Sequence, residues 1–337
     1  MSEFTISGEV TSVLAHFALY GLAAICEDQL GSQARLCWTD DRRPRGKLNV
    51  APESAIANAV RQHAQNHTDR NSWIRQRINH EDRLTATLSP RIKAPSSATA
   101  WQVLQSERHS ALDKLVATHS LLDLQMISAL GEPAYWRVDG TARPDEGASR
   151  WEMKTRNKGE EFVGNRVEPL ASAVAARTAD AIGSGLTGQT ISDEVGHNGP
   201  ESRSATGFAP PGPVDNAFAW CALWGMSQFP IVHHTNRQST TAATYVPHRR
   251  THPIFVYLPV ATRGITLALL RSILASDELS IAASESSDVI RVEASRKWLE
   301  NRGIRAVMRF PVFVSNNPSA PERWILTGSP IPMSARR

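Results

Sequence analysis

The chain predicts an α+β fold in which helices pack with short, mostly antiparallel strands, joined by long polar loops. Apolar residues recur at three- and four-residue spacing in several long stretches, the signature of helices with a buried face. Shorter alternating stretches lie scattered among them. No regular strand–helix–strand alternation of the kind that builds a parallel sheet is visible.

Taken in order, Ile6 to Val10 reads as a strand and residues 11–28 as a helix with Leu14, Phe17, Ala18, Gly21, Leu22 and Ile25 on one buried face. Residues 34–38 alternate like a strand, and the turn-rich segment 39–46 carries Arg42, Arg43 and Arg45 around Pro44. Pro52 and Glu53 open a helix over 53–68. Residues 100–130 form the longest helical pattern, with Leu104, Ala111, Leu112, Leu115, Leu122, Met126 and Ile127 as its stripe, and Gly131-Glu132-Pro133 stops it. From Tyr135 to Val167 the chain is polar and irregular, with brief strand-like pieces. Glu168-Pro169 starts a helix over 168–180. Residues 181–213 are rich in Gly, Ser, Thr and Pro and read as a long loop. Asp215 to Met226 is a buried helix, and 228–253 is a second polar excursion. Strands at 254–260, 304–314 and 323–327 and helices at 264–275 and 293–302 complete the chain. No internal repeat is visible. The expected organisation is one compact unit over 1–337. The alternative is a division into 1–95, 96–250 and 251–337, with Pro90, Pro95, Ser96 and Ser97 clustered at the first boundary.

The 337 residues are 41% apolar and 21% charged, ordinary for a globular protein. A net charge of +4 admits a polyanionic partner without requiring one. Cys26, Cys37 and Cys221 form no Cys-x-x-Cys pair, and Cys26 and Cys221 sit in apolar helical runs as small hydrophobes. The N-terminus lacks the basic start and apolar run of a secretion signal. The stretch Val13 to Cys26, interrupted by His16 and Gly21, is too short to span a bilayer. A cytoplasmic location and no membrane partner are expected.

Residues 147–168 hold the densest chemistry. Arg150, Lys154, Arg156, Lys158 and Arg166 are interleaved with Trp151, Phe162, Asn157 and glycines. Cations neutralise phosphates, and rings and amides engage bases or pack. The same stretch contains Glu152-Met-Lys154 with Asp139 upstream. Metal-dependent nucleases use this combination, with carboxylates holding Mg²⁺ and the lysine steadying the attacking water. Here no apolar strand leads into Glu152, which disfavours that reading. His233 and His234 could act as acid and base in metal-free RNA cleavage. With His197, His248 and His252 they offer no regular zinc spacing. Phosphate-loop and dinucleotide signatures are absent, so no cofactor, metal or small-molecule substrate is expected.

Three basic clusters remain: Arg42, Arg43, Arg45 and Lys47; Arg150 to Arg166; and His248, Arg249 and Arg250 with Arg237 nearby. Arginine suits bidentate phosphate contacts and stacking on bases. The competing reading makes them solvated faces paired to Glu152, Glu160, Glu161 and Asp40. The reading adopted is a non-enzymatic nucleic-acid-binding protein. Arg42, Arg43, Arg45, Lys154, Arg156, Lys158, Arg166, Arg249 and Arg250 are its candidate phosphate contacts, and Asn157 a base or sugar contact.

Three long phrases, Phe17 to Ile25, Trp151 to Arg166 and Asp215 to Gly225, resemble the third Csb family of CRISPR-associated proteins from type I-U (also called I-G) systems. The resemblance spans about residues 5–315 and carries no catalytic signature. It implies a Cascade-like subunit for antiviral defence that contacts guide RNA, target DNA or both, alongside other effector subunits. In such effectors guide pairing reads sequence, while the proteins hold backbones. A CRISPR-associated nuclease, by Asp139, Glu152 and Lys154 or by His233 or His234, is the alternative.

Overall fold

A computed structural model describes residues 3–80, 82–93, 95–118, 121–136, 142–144, 147–151, 162–234, 238–247, 250, 252–285, 287–317 and 321–334, with backbone alone for 134–136 and 142–144. Strand β1 (Glu3–Glu9) leads into α1 (Val13–Leu30), followed by β2 (Arg35–Trp38), β3 (Arg45–Asn49) and α2 (Glu53–Thr68). Short strands β4 (Arg77–His80) and β5 (Arg83–Ala86) precede α3 (Ala98–Ala117), α4 (Leu121–Leu130), β6 (Ala134–Trp136) and β7 (Ala142–Pro144). A π-helical turn over Val163–Val167 runs into α5 (Glu168–Ala175), then α6 (Ala179–Thr187) and α7 (Asn216–Gly225). Next come β8 (Ile231–Val232), β9 (Thr240–Thr241), β10 (Thr244–Tyr245), β11 (Phe255–Ala261), α8 (Leu267–Leu274), α9 (Glu278–Ala282) and α10 (Val289–Glu300). The chain closes with β12 (Ile304–Val314), β13 (Arg323–Ile325) and β14 (Ser329–Pro332).

The architecture is mixed α+β with small antiparallel sheets, as the sequence predicts. One sheet is ordered β1-β3-β2. A second is ordered β10-β11-β12-β13, with β14 also paired to β12. Leu36 and Ile265 exchange backbone hydrogen bonds at the β2 edge, which ties the first sheet to the segment that follows β11.

Helix α1 sits at the centre. Phe4, Ile6, Leu36, Trp38 and Leu48 point inward from the first sheet, and α7 and α2 pack against the helix from other sides. The apolar spacing predicted one buried face for α1, yet every residue from Val13 to Cys26 is buried. Neighbours surround it, so no side is left for solvent. The α1–α7 contact is close because glycines line it: Gly21 lies against the Cys221 carbonyl, and Gly225 against that of Phe17. Helix α2 follows its expected bounds, with Ile56, Val60, His63, Ala64 and His67 on its buried face. Asp123 of α4 accepts hydrogen bonds from His67 Nε2 and Trp73 Nε1, both at 2.9 Å, and so pins α4 to α2.

Several expectations change. The 100–130 helix divides into α3 and α4. On α3 only Leu104, Arg108 and Ala111 are buried, so an arginine occupies the centre of the buried face. Arg108 donates to the carbonyls of Thr87, Ser89 and Gly131 and pairs with Glu132 at 3.0 Å, which satisfies its charge inside the protein. Segment 181–213 is not all loop. It begins inside α6 and then folds on a polar hub in which buried Asp193 accepts from Ser202 Oγ, Ser204 Oγ, Asn216 Nδ2 and the Gly196 amide. Arg177 ties this segment to the core through Asp215 at 2.9 Å, Glu194 and the Ser192 carbonyl. One apolar cluster runs from Phe4 to Met333. Among the described residues no helix is long and apolar enough to cross a membrane.

Candidate nucleic-acid interface

Alternation along the first sheet sends Leu36, Trp38, Gly46 and Leu48 inward and leaves Arg35, Cys37, Arg45, Lys47 and Asn49 on the outer face. The register sets Thr5, Lys47 and Cys37 in one row across the three strands, and Glu3, Asn49 and Arg35 in the next. The β2–β3 turn closes through its own backbone. Thr39 N–H donates to the Arg45 carbonyl at 2.9 Å, Arg45 N–H to Thr39 Oγ1 at 2.8 Å, and Arg43 N–H to Asp41 Oδ1 at 2.8 Å. Val10 N–H donates to the Pro44 carbonyl at 2.8 Å, anchoring the turn to the end of β1.

With the backbone thus occupied, the guanidinium groups of Arg42, Arg43 and Arg45 project into solvent. Arg43 approaches Glu9 at 3.7 Å, but the two side chains are 82% and 44% exposed, so water and salt screen the pair. Lys47 is held by Glu3 at 2.5 Å, and that hydrogen bond raises its ammonium above the ordinary lysine range. Arg42 and Arg45 have no ion pair among the described residues, and Arg35 reaches only the Gly264 carbonyl at 3.5 Å. Asp40 and Asp41 share the turn, yet Asp41 is committed to the Arg43 amide. Arg35 belongs to this surface and was missed from sequence. Its only signal is its outward position in an alternating strand.

The second basic cluster looks different once folded. Trp151 is fully buried between Phe17, at a ring distance of 4.9 Å, and Phe229, at 4.8 Å. Phe162 and Arg150 are buried as well. The rings at both ends of the stretch therefore pack, and neither is available to a base. Arg166 is half-buried in the π-helical turn, not in a loop. Lys154, Arg156, Asn157 and Lys158 lie outside the described residues, as do Asp139 and Glu152 of the nuclease alternative.

In the third cluster Arg250 is exposed in the loop between β10 and β11. There its amide donates to the Pro247 carbonyl and its own carbonyl accepts from Gln238. Arg237, His248 and Arg249 lie outside the described residues. His233 is exposed just beyond β8. Desolvation still lowers its pKa, opposed by Glu132. His234 Nε2 meets Thr240 Oγ1 at 3.2 Å.

Other reactive groups are accounted for by packing. Burial pushes the Cys26 thiol up to about 12, and that of Cys221 far above its ordinary value, so neither is a nucleophile. Burial pushes His16 down to about 3, where its Nε2–H donates to the Val10 carbonyl and Tyr20 O–H faces Nδ1. Burial raises the Asp193 carboxyl, but hydrogen bonds from Ser202, Ser204, Asn216 and Gly196 outweigh it and hold the group below the usual carboxylate range. Among the described residues no group of three His, Cys, Asp or Glu side chains could hold a metal ion.

The described residues of the three phrases meet in one place: α1 crosses α7 at Gly21 and Gly225, and Trp151 stacks edge-on to Phe17. What Phe17, Trp151, Gly21 and Gly225 share there is core packing. No protein-family model matches the chain, and no curated protein matches it.

Proposed function

We propose that the chain is a non-catalytic nucleic-acid-binding subunit of a type I-U CRISPR interference complex, contacting the backbone of guide RNA, target DNA or both. The observation that carries the chemical part is the β2–β3 turn. Three arginines stand exposed on it, and two of them have no ion pair among the described residues. Guanidinium groups held free of carboxylates are ready to exchange counterions for phosphates. Arg35 adds an exposed cation on the outer face of the same sheet, and Arg250 one elsewhere on the surface. The biological setting rests on the resemblance of the three phrases to the third Csb family.

A salt series of gel shifts tests the reading. Replacing Arg42, Arg43 and Arg45 together by alanine is expected to weaken binding of single-stranded RNA and to flatten the slope of log K against log salt by about 2. A parallel variant at Lys154, Arg156 and Lys158 tests the second cluster in the same way. Unchanged affinity and slope in both variants would remove the assignment. Mg²⁺-dependent cleavage abolished by Glu152→Ala would replace it with nuclease chemistry. Co-purification with effector subunits before and after nuclease treatment separates protein contacts from RNA-mediated ones.

A further inference from the structure

The second sheet turns one face to the core; its other face is covered at Tyr257, Pro259 and Val307 and opens only toward the end that carries Phe255 and Phe313. Val256, Leu258, Met308, Phe310 and Ile325 fill the core side. At that open end the register assembles a row of aromatic side chains that are partly exposed, although Phe255 also packs against the edge of the core. Tyr245 lies across from Phe255, which lies across from Pro311. Two residues further along β12, Phe313 lies across from Trp324. Tyr245 is 45% exposed and Phe313 37% exposed. Phe313 and Trp324 stack with ring centres 4.4 Å apart and planes 28° apart.

Exposed aromatic rings on a sheet are ordinarily a liability, and isolated ones need no explanation. These are not isolated, and cations accompany them. The Arg309 guanidinium lies 5.4 Å from the Phe255 ring centre, and that of Arg203 lies 6.0 Å from Trp324. Arg309 approaches Glu285 only at 3.9 Å, and Glu285 is itself 92% exposed. Arg203 is paired with Glu322 at 2.9 Å, so it serves as a brace for Trp324 and not as a phosphate contact. The loop that joins Tyr245 to Phe255 carries exposed Arg250, which has no ion pair among the described residues. One end of the row therefore leads directly into the third basic cluster.

The basic turn of the first sheet is also close by. Pro44 accepts from Val10, and the neighbouring Thr11 carbonyl accepts from Gly328 N–H at 2.9 Å. Leu326, two residues earlier, donates to Pro311 of the aromatic row at 2.8 Å.

Flat rings spaced along a sheet, with cations at the edge, form a stacking platform for unpaired bases. A duplex buries its base faces and could not use the rings. We infer that this open end of the second sheet binds single-stranded RNA. Bases stack on Phe313 and on the Tyr245–Phe255 pair, Arg309 and Arg250 meet phosphates, and the exposed Ser329 hydroxyl, opposite Arg309 in the register, meets a ribose 2′-hydroxyl. This rests on the nucleic-acid reading proposed for the basic turn, but it concerns a different face and different chemistry: stacking that is little affected by salt.

The test is fluorescence polarisation of labelled oligouridine with the full chain and with Phe313→Leu and Tyr245→Leu, compared with the triple alanine variant at Arg42, Arg43 and Arg45. Each aromatic variant is expected to lose roughly ten-fold in affinity with the salt slope unchanged. Oligodeoxyuridine should bind more weakly than the RNA. Titration with RNA should quench tryptophan emission in the parent and less so in Trp324→Phe, a readout that does not depend on the leucine variants folding. RNA binding unaltered in both leucine variants, with binding lost in the arginine variant, would overturn the platform and leave the basic-turn reading standing. Failure of the parent chain to bind any oligonucleotide would end both. Equal affinity for the DNA oligomer would overturn the assignment to RNA. Displacement of the bound RNA by the aromatic-binding chemistry of a proline-rich peptide, at lower concentration than by unlabelled RNA, would reassign the face to a protein ligand.

Discussion

Gly21 of α1 lies directly against the backbone of Cys221 in α7: a β-carbon at Gly21 would stand 1.8 Å from the Cys221 carbonyl oxygen. The same β-carbon would come within 2.5 Å of the Gly225 amide nitrogen, and one on Gly225 would stand 2.2 Å from the Phe17 carbonyl. The obstacles are backbone atoms of a buried helix pair, so no side chain can swing aside. Gly21→Ala and Gly225→Ala are each expected to destabilise the protein by about 3 kcal/mol, the upper end of overpacking costs. Gly31→Ala provides the contrast. Its φ of 63° strains an alanine, but nothing lies within 4 Å of a β-carbon there, so the cost should stay near about 1 kcal/mol. Urea unfolding of the three variants measures this; equal losses at Gly21 and Gly31 would contradict the close crossing.

The buried histidines predict acid sensitivity. His16 is pushed down to about 3 by burial, and His63 is also held well below its ordinary value, by burial first and by the nearby His67. Both pKa values are lower in the folded chain than in the unfolded one, so the unfolded state takes up protons first as pH falls. The stability these residues contribute is fully present above about pH 6.5 and is lost as the pH falls below that, by about 1.4 kcal/mol per unit for each residue still neutral in the folded chain. Melting temperatures measured from pH 8 to pH 5 should be level at the upper end and fall below pH 6.5. A melting temperature that stays level down to pH 5 would count against both.

Arg177 is expected to hold the segment after α6. Removing it leaves Asp215, which is buried, and Glu194 without their cation, and breaking a buried pair of this kind costs about 3–5 kcal/mol. Arg177→Met should therefore lower the urea midpoint and open residues 188–215 to limited proteolysis before the rest of the chain. Cleavage first elsewhere would show that the Asp193 hub holds the segment unaided.

Glu9 and Glu3 oppose ligand binding in the proposed basic turn, because each engages a cation that could otherwise meet a phosphate. Glu9→Gln should raise affinity for single-stranded RNA about two- to five-fold at low salt. Little change in stability is expected, since the pair it breaks is solvent-exposed. Lys47→Ala, which removes a cation already neutralised by Glu3, should cost less affinity than Arg42→Ala. The reverse ranking in a polarisation assay would show that Lys47, and not the turn, leads the contact.

Much of the fold is legible because it rests on local periodicity. The bounds 53–68 for α2 and 304–314 for β12 follow from spacing and caps alone. Trp220 and the cysteines of α1 and α7 are buried as their helical runs imply. The turn bearing Arg42, Arg43 and Arg45 is legible for the same reason: Pro44 and clustered polar residues between two alternating stretches force the chain outward. Less legible is β3, whose residues 45–49 carry two cations and a glycine among few apolar positions; it becomes a strand by pairing on both sides, with β1 and β2.

What the sequence determined by itself is therefore the class of fold, most of its helices and the exposed basic turn, since each depends on residues within a few positions of one another. The tertiary structure alone decided that Trp151 and Phe162 pack instead of facing a ligand, that Arg108 and Arg177 go inside, and that Tyr245, Phe255, Phe313 and Trp324 share one face of the second sheet. The physical reason is where the partners come from. Arg108 can be buried only because carbonyls from residues 87, 89 and 131 converge on it, and Phe313 meets Trp324 only because β12 and β13 pair in one register. Periodicity records which way a side chain points along its own element, not which distant group it will meet there.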